Sequence, residues 1–344
     1  MSSVFGTTLL QQLPPPPQDI IGWPWTEANL ENPIALPDGT PWPRISIVTP
    51  SFNQAAYLEE TIRSVLLQGY PNLEYIVMDG GSTDGSIDII KKYAPWLANW
   101  VSEPDKGQSD AINKGWARAN GHLLAWLNSD DYYTPGALFQ AAQAFNDAGP
   151  QAGLAYGMAH WLEEPNKQIT RQVGRPFDLE EILTQARSAV AQPSAFARAT
   201  VVQKIGGPVQ DLHYSMDWDL WNRIAMCSQV VFVPRVWSCM RFWPGAKTSV
   251  IAQQAGFGPD MLRSVQRLYQ QPDLPPHIRA LKRKAIAAIA VRAAHGYANA
   301  GKYREMQSAF FLALIQHPWH TLRRARRSSL RLALGPLTYW SVKP

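Results

Sequence analysis

A chain of 344 residues, 46% hydrophobic and 11% aromatic, is long enough for one large α/β domain plus an appendage and too apolar to be disordered. Two cysteines, Cys227 and Cys239, give neither a disulfide framework nor a metal spacing and read as buried thiols in a reducing compartment; no basic stretch followed by an apolar core opens the sequence and no apolar run reaches about 18 residues, so neither a secretory signal nor a spanning helix is expected. The net charge of +5 conceals an asymmetry, because residues 1–257 hold 17 Lys/Arg against 24 Asp/Glu whereas residues 258–344 hold 15 against 3.

Residues 1–43 carry the run Pro14 to Pro17, the pairs Trp23-Pro24 and Trp42-Pro43, and no sustained periodicity, which predicts an extended arm wrapping the domain with its tryptophans. From Arg44 the pattern changes. Ile45 to Thr49 reads as a strand, followed by Pro50-Ser51-Phe52-Asn53 and a helix from Ala55 to Gln68 with Leu58, Ile62, Val65 and Leu66 at helical spacing. A second strand, Leu73 to Met78, ends on Asp79-Gly80-Gly81-Ser82-Thr83-Asp84-Gly85, and a helix runs from Ser86 to Tyr93. The glycine loop is neither the dinucleotide fingerprint nor a P-loop. Its glycines admit a flat or phosphorylated ligand at close range, and Ser82 or Thr83 can equally cap the helix. A short strand, Trp100 to Ser102, leads through Asp105-Lys106-Gly107 into a helix from Ser109 to Ala119, where Asp110 and Asn113 lie one turn apart and can face one ligand. Strand, helix, strand, helix is a parallel-sheet rhythm.

The apolar run Leu123 to Leu127 has the length of a buried parallel strand and ends on Asn128-Ser129-Asp130-Asp131. Adjacent carboxylates at such a strand end repel unless a cation or a donor-rich ligand joins them, and hard oxygen ligands suit magnesium or manganese bridging phosphates. A solvated turn rich in Asp is the competing reading.

Beyond this stretch the pattern predicts a helix over 135–147, a strand over 153–161, a helix over 177–186, a strand over 191–196 and a helix over 201–205. Residues 213–225 form a helix whose core stripe is Trp218, Trp221, Ile224 and Ala225, with Asp217 near its amino end, where the helix dipole favours an acid. A strand follows over 229–234, then helices over 261–270, 276–300 and 302–316, the last two pairing as a helical hairpin. From Trp319, the apolar Leu322, Leu330, Leu332 and Leu334 alternate with Arg323, Arg324, Arg326, Arg327 and Arg331, and no acid occurs after Glu305. That pattern suits a helix seated at an anionic surface, membrane or nucleic acid, or else a solvated face.

Five ordered blocks give the chain its resemblance. They are Ile47-Val48-Thr49-Pro50-Ser51-Phe52-Asn53; Met78-Asp79-Gly80-Gly81-Ser82-Thr83-Asp84-Gly85; Asp105-Lys106-Gly107 through Asn113-Lys114-Gly115; Trp126-Leu127-Asn128-Ser129-Asp130-Asp131; and Met216-Asp217-Trp218-Asp219-Leu220-Trp221. In this order they resemble the inverting family 2 nucleotide-sugar glycosyltransferases. The resemblance implies the GT-A fold, an α/β architecture with a Rossmann-like, mostly parallel sheet flanked by helices, here with a basic helical C-terminal appendage. It divides the chain into an arm (1–43), a GT-A domain (44–257) and a basic helical region (258–344).

It further implies that Thr49, Ser51 and Asn53 line the nucleotide pocket, that Asp79 reads the base, and that Asp110 belongs to the donor site. Asp130 and Asp131 correspond to the carboxylates that hold ribose and a divalent cation, Mn or Mg. Asn128 stands where many relatives have a further Asp. Asp217 corresponds to the base that deprotonates the acceptor, with Asp219 as understudy, and Gln192, Pro193 and Ser194 fall on the acceptor side. The expected activity is inverting transfer of a sugar from a nucleoside-diphosphate sugar to a saccharide or lipid-linked hydroxyl, in cell-surface polysaccharide synthesis. The expected location is the cytoplasm, peripherally on the inner face of the membrane. The competing readings are a nucleotidyltransferase, which would need a basic pyrophosphate loop that Thr49–Asn53 lacks, and a nucleic-acid-binding protein, for which no recognition motif is present.

Overall fold

The computed structural model describes residues 9–29, 33–251 and 256–325. The expected basic alternation from Arg326 to Leu334 lies outside the described residues. Strand β1 (Ile45–Ser51) is buried along its whole length because parallel strands flank both its edges. On one side lie β2 (Leu73–Asp79) and then β3 (Asn99–Ser102); on the other lies β4 (Leu123–Trp126). The connecting helices are α1 (Ala55–Leu66), α2 (Ser86–Tyr93) and α3 (Gln108–Arg118). Helix α3 packs on β1 and β2 at Gly115, where a Cβ would come within 2.6 Å of Val48 Cγ1, so only glycine permits this approach.

The sheet continues past β4 with antiparallel strands. These are β5 (Tyr132–Tyr133), β6 (Ala152–Glu163), β7 (Gln168–Val173), β8 (Ala195–Arg198) and β9 (Gln229–Phe242), in the order β3-β2-β1-β4-β8-β6-β9-β5 with β7 beside β6. Helix α4 (Ala137–Ala148) covers β6. The strand expected over 191–196 is a 3₁₀ turn at Gln192–Ser194, set by Pro193, followed by β8. The strand expected to stop at Pro234 continues for eight further residues, because Pro234 sits on an exposed stretch where no neighbour needs its missing N–H. Strand β7, Gln-Ile-Thr-Arg-Gln-Val, is exposed on both faces and has no apolar alternation by which it could be read. Of the two cysteines, Cys239 is buried as expected and Cys227 is exposed.

The chain forms two compact units: 1–176, 190–210 and 227–241 make the first, and 177–189, 211–226 and 242–344 the second. In the first, the arm packs against the sheet domain through Leu13, Trp25, Leu36 and Trp42, all buried. The guanidinium of Arg63, buried in α1, donates to the carbonyls of Pro14, Pro24 and Trp25 and to the Tyr93 hydroxyl. The Trp23 indole N–H donates to Tyr133 O.

The second unit contains α5 (Leu179–Gln185), α7 (Met216–Ala225) and the C-terminal helices; α6 (Ala199–Ile205) belongs to the first. The C-terminal helices are α8 (Lys247–Ile251), α9 (Phe257–Leu268), α10 (Pro276–Ala280), α11 (Lys282–Asn299), α12 (Tyr303–Gln316) and α13 (Pro318–Ala325). Ile182, Leu183 and Trp218 share a core with Met261, Val265, Leu268, Ile286 and Ile289. Helices α11 and α12 pair as the expected hairpin, and Arg283 at the start of α11 donates to Ile315 O and Gln316 O at the end of α12. Among the described residues no helix is long and apolar enough to cross a membrane.

Candidate active site

Strand order reverses between β1 and β4, since β1 is flanked by β2 on one side and by β4, three strands after it in the chain, on the other. In open α/β sheets the crevice outside the carboxyl ends at such a reversal is where ligands bind. The residues there are Ser51–Asn53 after β1 and Asn128–Asp131 after β4, with the Asp79–Gly85 loop beside them after β2. Cross-links hold this mouth in shape. Gly80 N donates to Ser51 O, Asn53 N to Ser82 Oγ, Thr83 N to Asn53 Oδ1, and Leu127 N to Val48 O.

The acids after β4 divide into two kinds. Asp131 is 3% exposed; its Oδ1 accepts from Arg241 N at 2.9 Å and its Oδ2 from Asn128 Nδ2 at 3.3 Å. Burial lifts its carboxyl well above the usual carboxylate range, and the charge of Asp130 adds to this against the Arg241 N–H and guanidinium and the Asn128 amide. Asp130 is partly exposed, and its carbonyl is gripped by Arg241 Nη1 at 2.6 Å. Thr61 Oγ1 lies 2.9 Å from Ser129 O and 2.6 Å from Asp131 O, so α1 braces the loop from beneath. Asn128 is engaged on every side: its amide donates to Asp131 and to Gln192 Oε1 (2.9 Å), and its oxygen accepts from Gln108 Nε2 (2.6 Å). Gln192 in turn donates to Trp126 O, and Ser194 pairs with Ser238 and donates to Met158 O.

The remaining expected site residues of this unit differ in what they leave available. Thr49 is fully buried against the Tyr75 hydroxyl at 3.0 Å. Ser51 is 4% exposed, and its hydroxyl has no hydrogen-bond partner among the described residues. Asn53 is exposed in the left-handed region, φ 52°, a conformation Asn tolerates, and turns the chain from β1 towards α1. The Asp79 carboxylate accepts from Gly81 N, Ser82 N, Ser82 Oγ and Ser102 Oγ, and so is engaged by its own loop and by the end of β3. Asp110 and Asn113 do share one partner, but it is the loop Pro208–Gln210: Gln210 Nε2 donates to Asp110 and Asn113 Nδ2 to Pro208 O. The Lys106 N–H and the Lys114 side chain hold the Asp110 carboxyl below its ordinary range.

In the second unit, Asp217 lies in the first turn of α7 and is partly exposed. Burial among its neighbours raises its pKa, opposed by the Trp218 N–H and the charge of Lys247. Asp219 is closed off, its carboxylate accepting from Arg223 Nε and Ser264 Oγ, each at 2.7 Å.

Arg241 is the residue that sequence reasoning missed. Its side chain is fully buried, ion-paired with Glu60 (2.5 Å) and Glu164 (3.2 Å), and flanked by the rings of Tyr57 and Tyr132 at 5.0 and 4.8 Å. An arginine in a strand next to Cys239 and Trp237 is the available signal, since a buried charge requires partners.

Among the described residues, no group of three or more His, Cys, Asp or Glu side chains gathers that could hold a metal by itself. The partly exposed carboxylate of Asp130 at the strand ends nevertheless fits Mg- or Mn-type binding, which uses one or two carboxylates together with substrate phosphates.

This arrangement of strands and loops is that of the GT-A glycosyltransferases. The fold is shared with TarS of S. aureus (TM-score 0.60, 16% identity, 81% of this chain and 50% of that one). It is shared too with the mannosyltransferase PcManGT of Pyrobaculum calidifontis, solved with GDP-Man and Mn2+ (TM-score 0.55, 20% identity, 98% of this chain and 90% of that one). The model of the family described as glycosyl transferase family 2 matches residues 46–203. An uncharacterized glycosyltransferase of Mycobacterium tuberculosis is 34% identical over 195 residues, 56% of this chain and 72% of the relative. A Bacillus subtilis protein named for teichuronic acid biosynthesis, TuaG, is 41% identical over 96 residues, 27% of this chain and 38% of the relative. The chain belongs to glycosyl transferase family 2, and is a glycosyltransferase.

Proposed function

We propose that the protein transfers a sugar, with inversion, from a nucleoside-diphosphate sugar to a hydroxyl of a saccharide or lipid-linked acceptor, in the synthesis of a cell-surface polysaccharide. The observation that carries this reading is the partly exposed Asp130 at the strand-order reversal, its backbone clamped by Arg241 while the Asn128 side chain is held by Asp131, Gln192 and Gln108 and Asp131 is buried. Asp130 is the residue that would hold a divalent cation, Mn or Mg, together with the donor; Asp131 keeps that loop in place. A cation held there would supply positive charge against the negative charge that grows on the leaving diphosphate. PcManGT with GDP-Man and Mn2+, and TarS with UDP-GlcNAc (TM-score 0.53), support a donor of this class.

Asp217 takes the acceptor proton as the hydroxyl oxygen bonds to the anomeric carbon and the bond from that carbon to the diphosphate breaks. A raised pKa makes it a stronger base, and Asp219 is too enclosed for the role. The basic C-terminal helices support seating at the inner face of an anionic membrane.

Paired variants test this assignment. Asp217→Asn should bind donor as wild type does while turnover falls ~10²–10⁴-fold. Asp130→Ala should lose manganese-dependent donor binding, read by calorimetry. Full turnover in the first, or unchanged binding in the second, refutes the corresponding role. The same Asn variant has a stability signature. A folded pKa above the unfolded value of about 3.9 means that wild-type stability falls as pH rises through the interval between them, and Asp217→Asn removes that fall.

A further inference from the structure

The carboxyl end of α5 is enclosed by cationic side chains. Its last carbonyls have no partners within the helix, and two other helices of the same unit supply them. His320 Nε2 on α13 meets Thr184 O at 3.1 Å, Arg324 on α13 donates to Gln185 O at 3.0 Å and to Gln185 Oε1 at 2.9 Å, and Arg292 on α11 donates to Ala186 O at 2.7 Å. Positive charge suits a helix carboxyl end, so capping accounts for these contacts. It does not account for what is left over. The two guanidiniums serve consecutive residues, and His295 lies one turn after Arg292 on α11. Arg324 Nε and His295 Nε2 are buried with no hydrogen-bond partner among the described residues, and the exposed Arg292 donates there from Nη1 alone. No acid offsets this charge. Arg187, next to Ala186, takes Glu181 at 3.0 Å, and no Asp or Glu follows Glu305 in the sequence. Burial lowers the pKa of Arg324, and the charges of Arg292 and Arg187 lower it further.

We infer that Arg292, Arg324 and His295 form a binding site for a phosphate group. A tetrahedral phosphate offers oxygens in several directions and can meet donors arriving from both α11 and α13, whereas one guanidinium fork occupies both oxygens of a carboxylate. His295 Nδ1 faces Val291 O at 2.9 Å, and a carbonyl only accepts, so the ring's proton sits on Nδ1 and Nε2 is bare. Burial and the charges of Arg324 and Arg292 keep a second proton off. An anion that offsets those charges lets Nε2 take a proton from solvent and donate to it. Two sources carry such a phosphate. One is the acceptor, since Arg187 O accepts from the Trp218 indole at 2.8 Å and so ties this corner to α7, which bears Asp217. The other is a phospholipid headgroup, since the exposed Trp319 and Leu322 share α13 with Arg324. The site stands whether or not Asp217 is the base.

Calorimetric titration of the full chain with inorganic phosphate tests the site, in EDTA so that no divalent cation bridges phosphate to the donor mouth. Wild type should bind phosphate in preference to acetate at matched ionic strength. Arg292→Gln should bind it about 10- to 100-fold more weakly, the range for a hydrogen bond to a charged partner. His295→Leu leaves both arginine caps of α5 in place and should still lose about 10-fold, which a purely capping role does not predict. Wild type that takes phosphate no better than acetate, or either variant that binds phosphate as wild type does, overturns the site. Flotation then separates the two sources. An Arg292→Gln protein that no longer floats with vesicles containing phosphatidylglycerol identifies a lipid headgroup; one that floats as wild type does identifies the acceptor's phosphate, and each result upholds the site.

Discussion

Asn128 donates both hydrogens of its amide to oxygens, one on Asp131 and one on Gln192, so an aspartate in its place would set a carboxylate against two acceptors. Asn128→Asp should therefore lower stability by about 2–4 kcal/mol, seen as a shift of the urea midpoint, without tightening manganese binding. A variant that gains manganese affinity would show that position 128 is a ligand after all. The pair of acids after β4 was legible in the sequence because strand length and turn chemistry are local properties. The partners that decide which acid is available were not, since Gln192 lies 64 residues from Asn128 and Arg241 lies 110 residues from Asp131. The same holds for Asp79 and Asp110. Their chemistry and helical phase were visible, but what accepts or donates to them is fixed only when loops close.

Helix α1 joins features that look unrelated along the chain. Glu60 pairs with Arg241, Thr61 holds the carbonyls of Ser129 and Asp131, and Arg63 gathers three carbonyls of the arm. The arm is thus anchored to the same helix that braces the Asp130 loop. Arg63→Met would leave those carbonyls without their buried donor, at a cost of about 3 kcal/mol. The expected result is a lower denaturation midpoint together with faster proteolytic cleavage within residues 14–25, and an arm as protected as in wild type would contradict it. The apolar stripe of α1 was readable from its period, and the tryptophans of the arm advertised packing. Nothing local in Glu60-Thr61-Ile62-Arg63 announces that its polar members point inward, because their partners come from four other segments.

At the scale of the molecule, the parallel half of the sheet follows from the strand-helix rhythm, whereas the two-unit division does not follow from the charge boundary near residue 257. Segments 177–189 and 211–226 belong with the C-terminal helices because their apolar faces are completed there. Those helices also present Phe311 and Ile315 on α12 and Trp319 (81% exposed) and Leu322 on α13 to solvent. Thr321 on α13 is buried, and Arg324 donates to Gln185. The proposed seating on an anionic bilayer would use these exposed apolar side chains, with roughly 1 kcal/mol added by each surface-near basic residue. Flotation with vesicles containing anionic lipid should carry the wild-type chain and not the Trp319→Ala/Leu322→Ala variant, while zwitterionic vesicles should carry neither. Equal flotation of the two proteins would sink the membrane surface. The shared core of Ile182, Leu183 and Trp218 with Met261, Val265 and Ile289 also bears on biosynthesis. The first three residues leave the ribosome long before the last, so the nascent chain carries a sticky, unfinished surface for some hundred residues of elongation. A chain stopped near residue 257 would keep that surface permanently, and would be a substrate for chaperones and proteases before it could be a shorter enzyme.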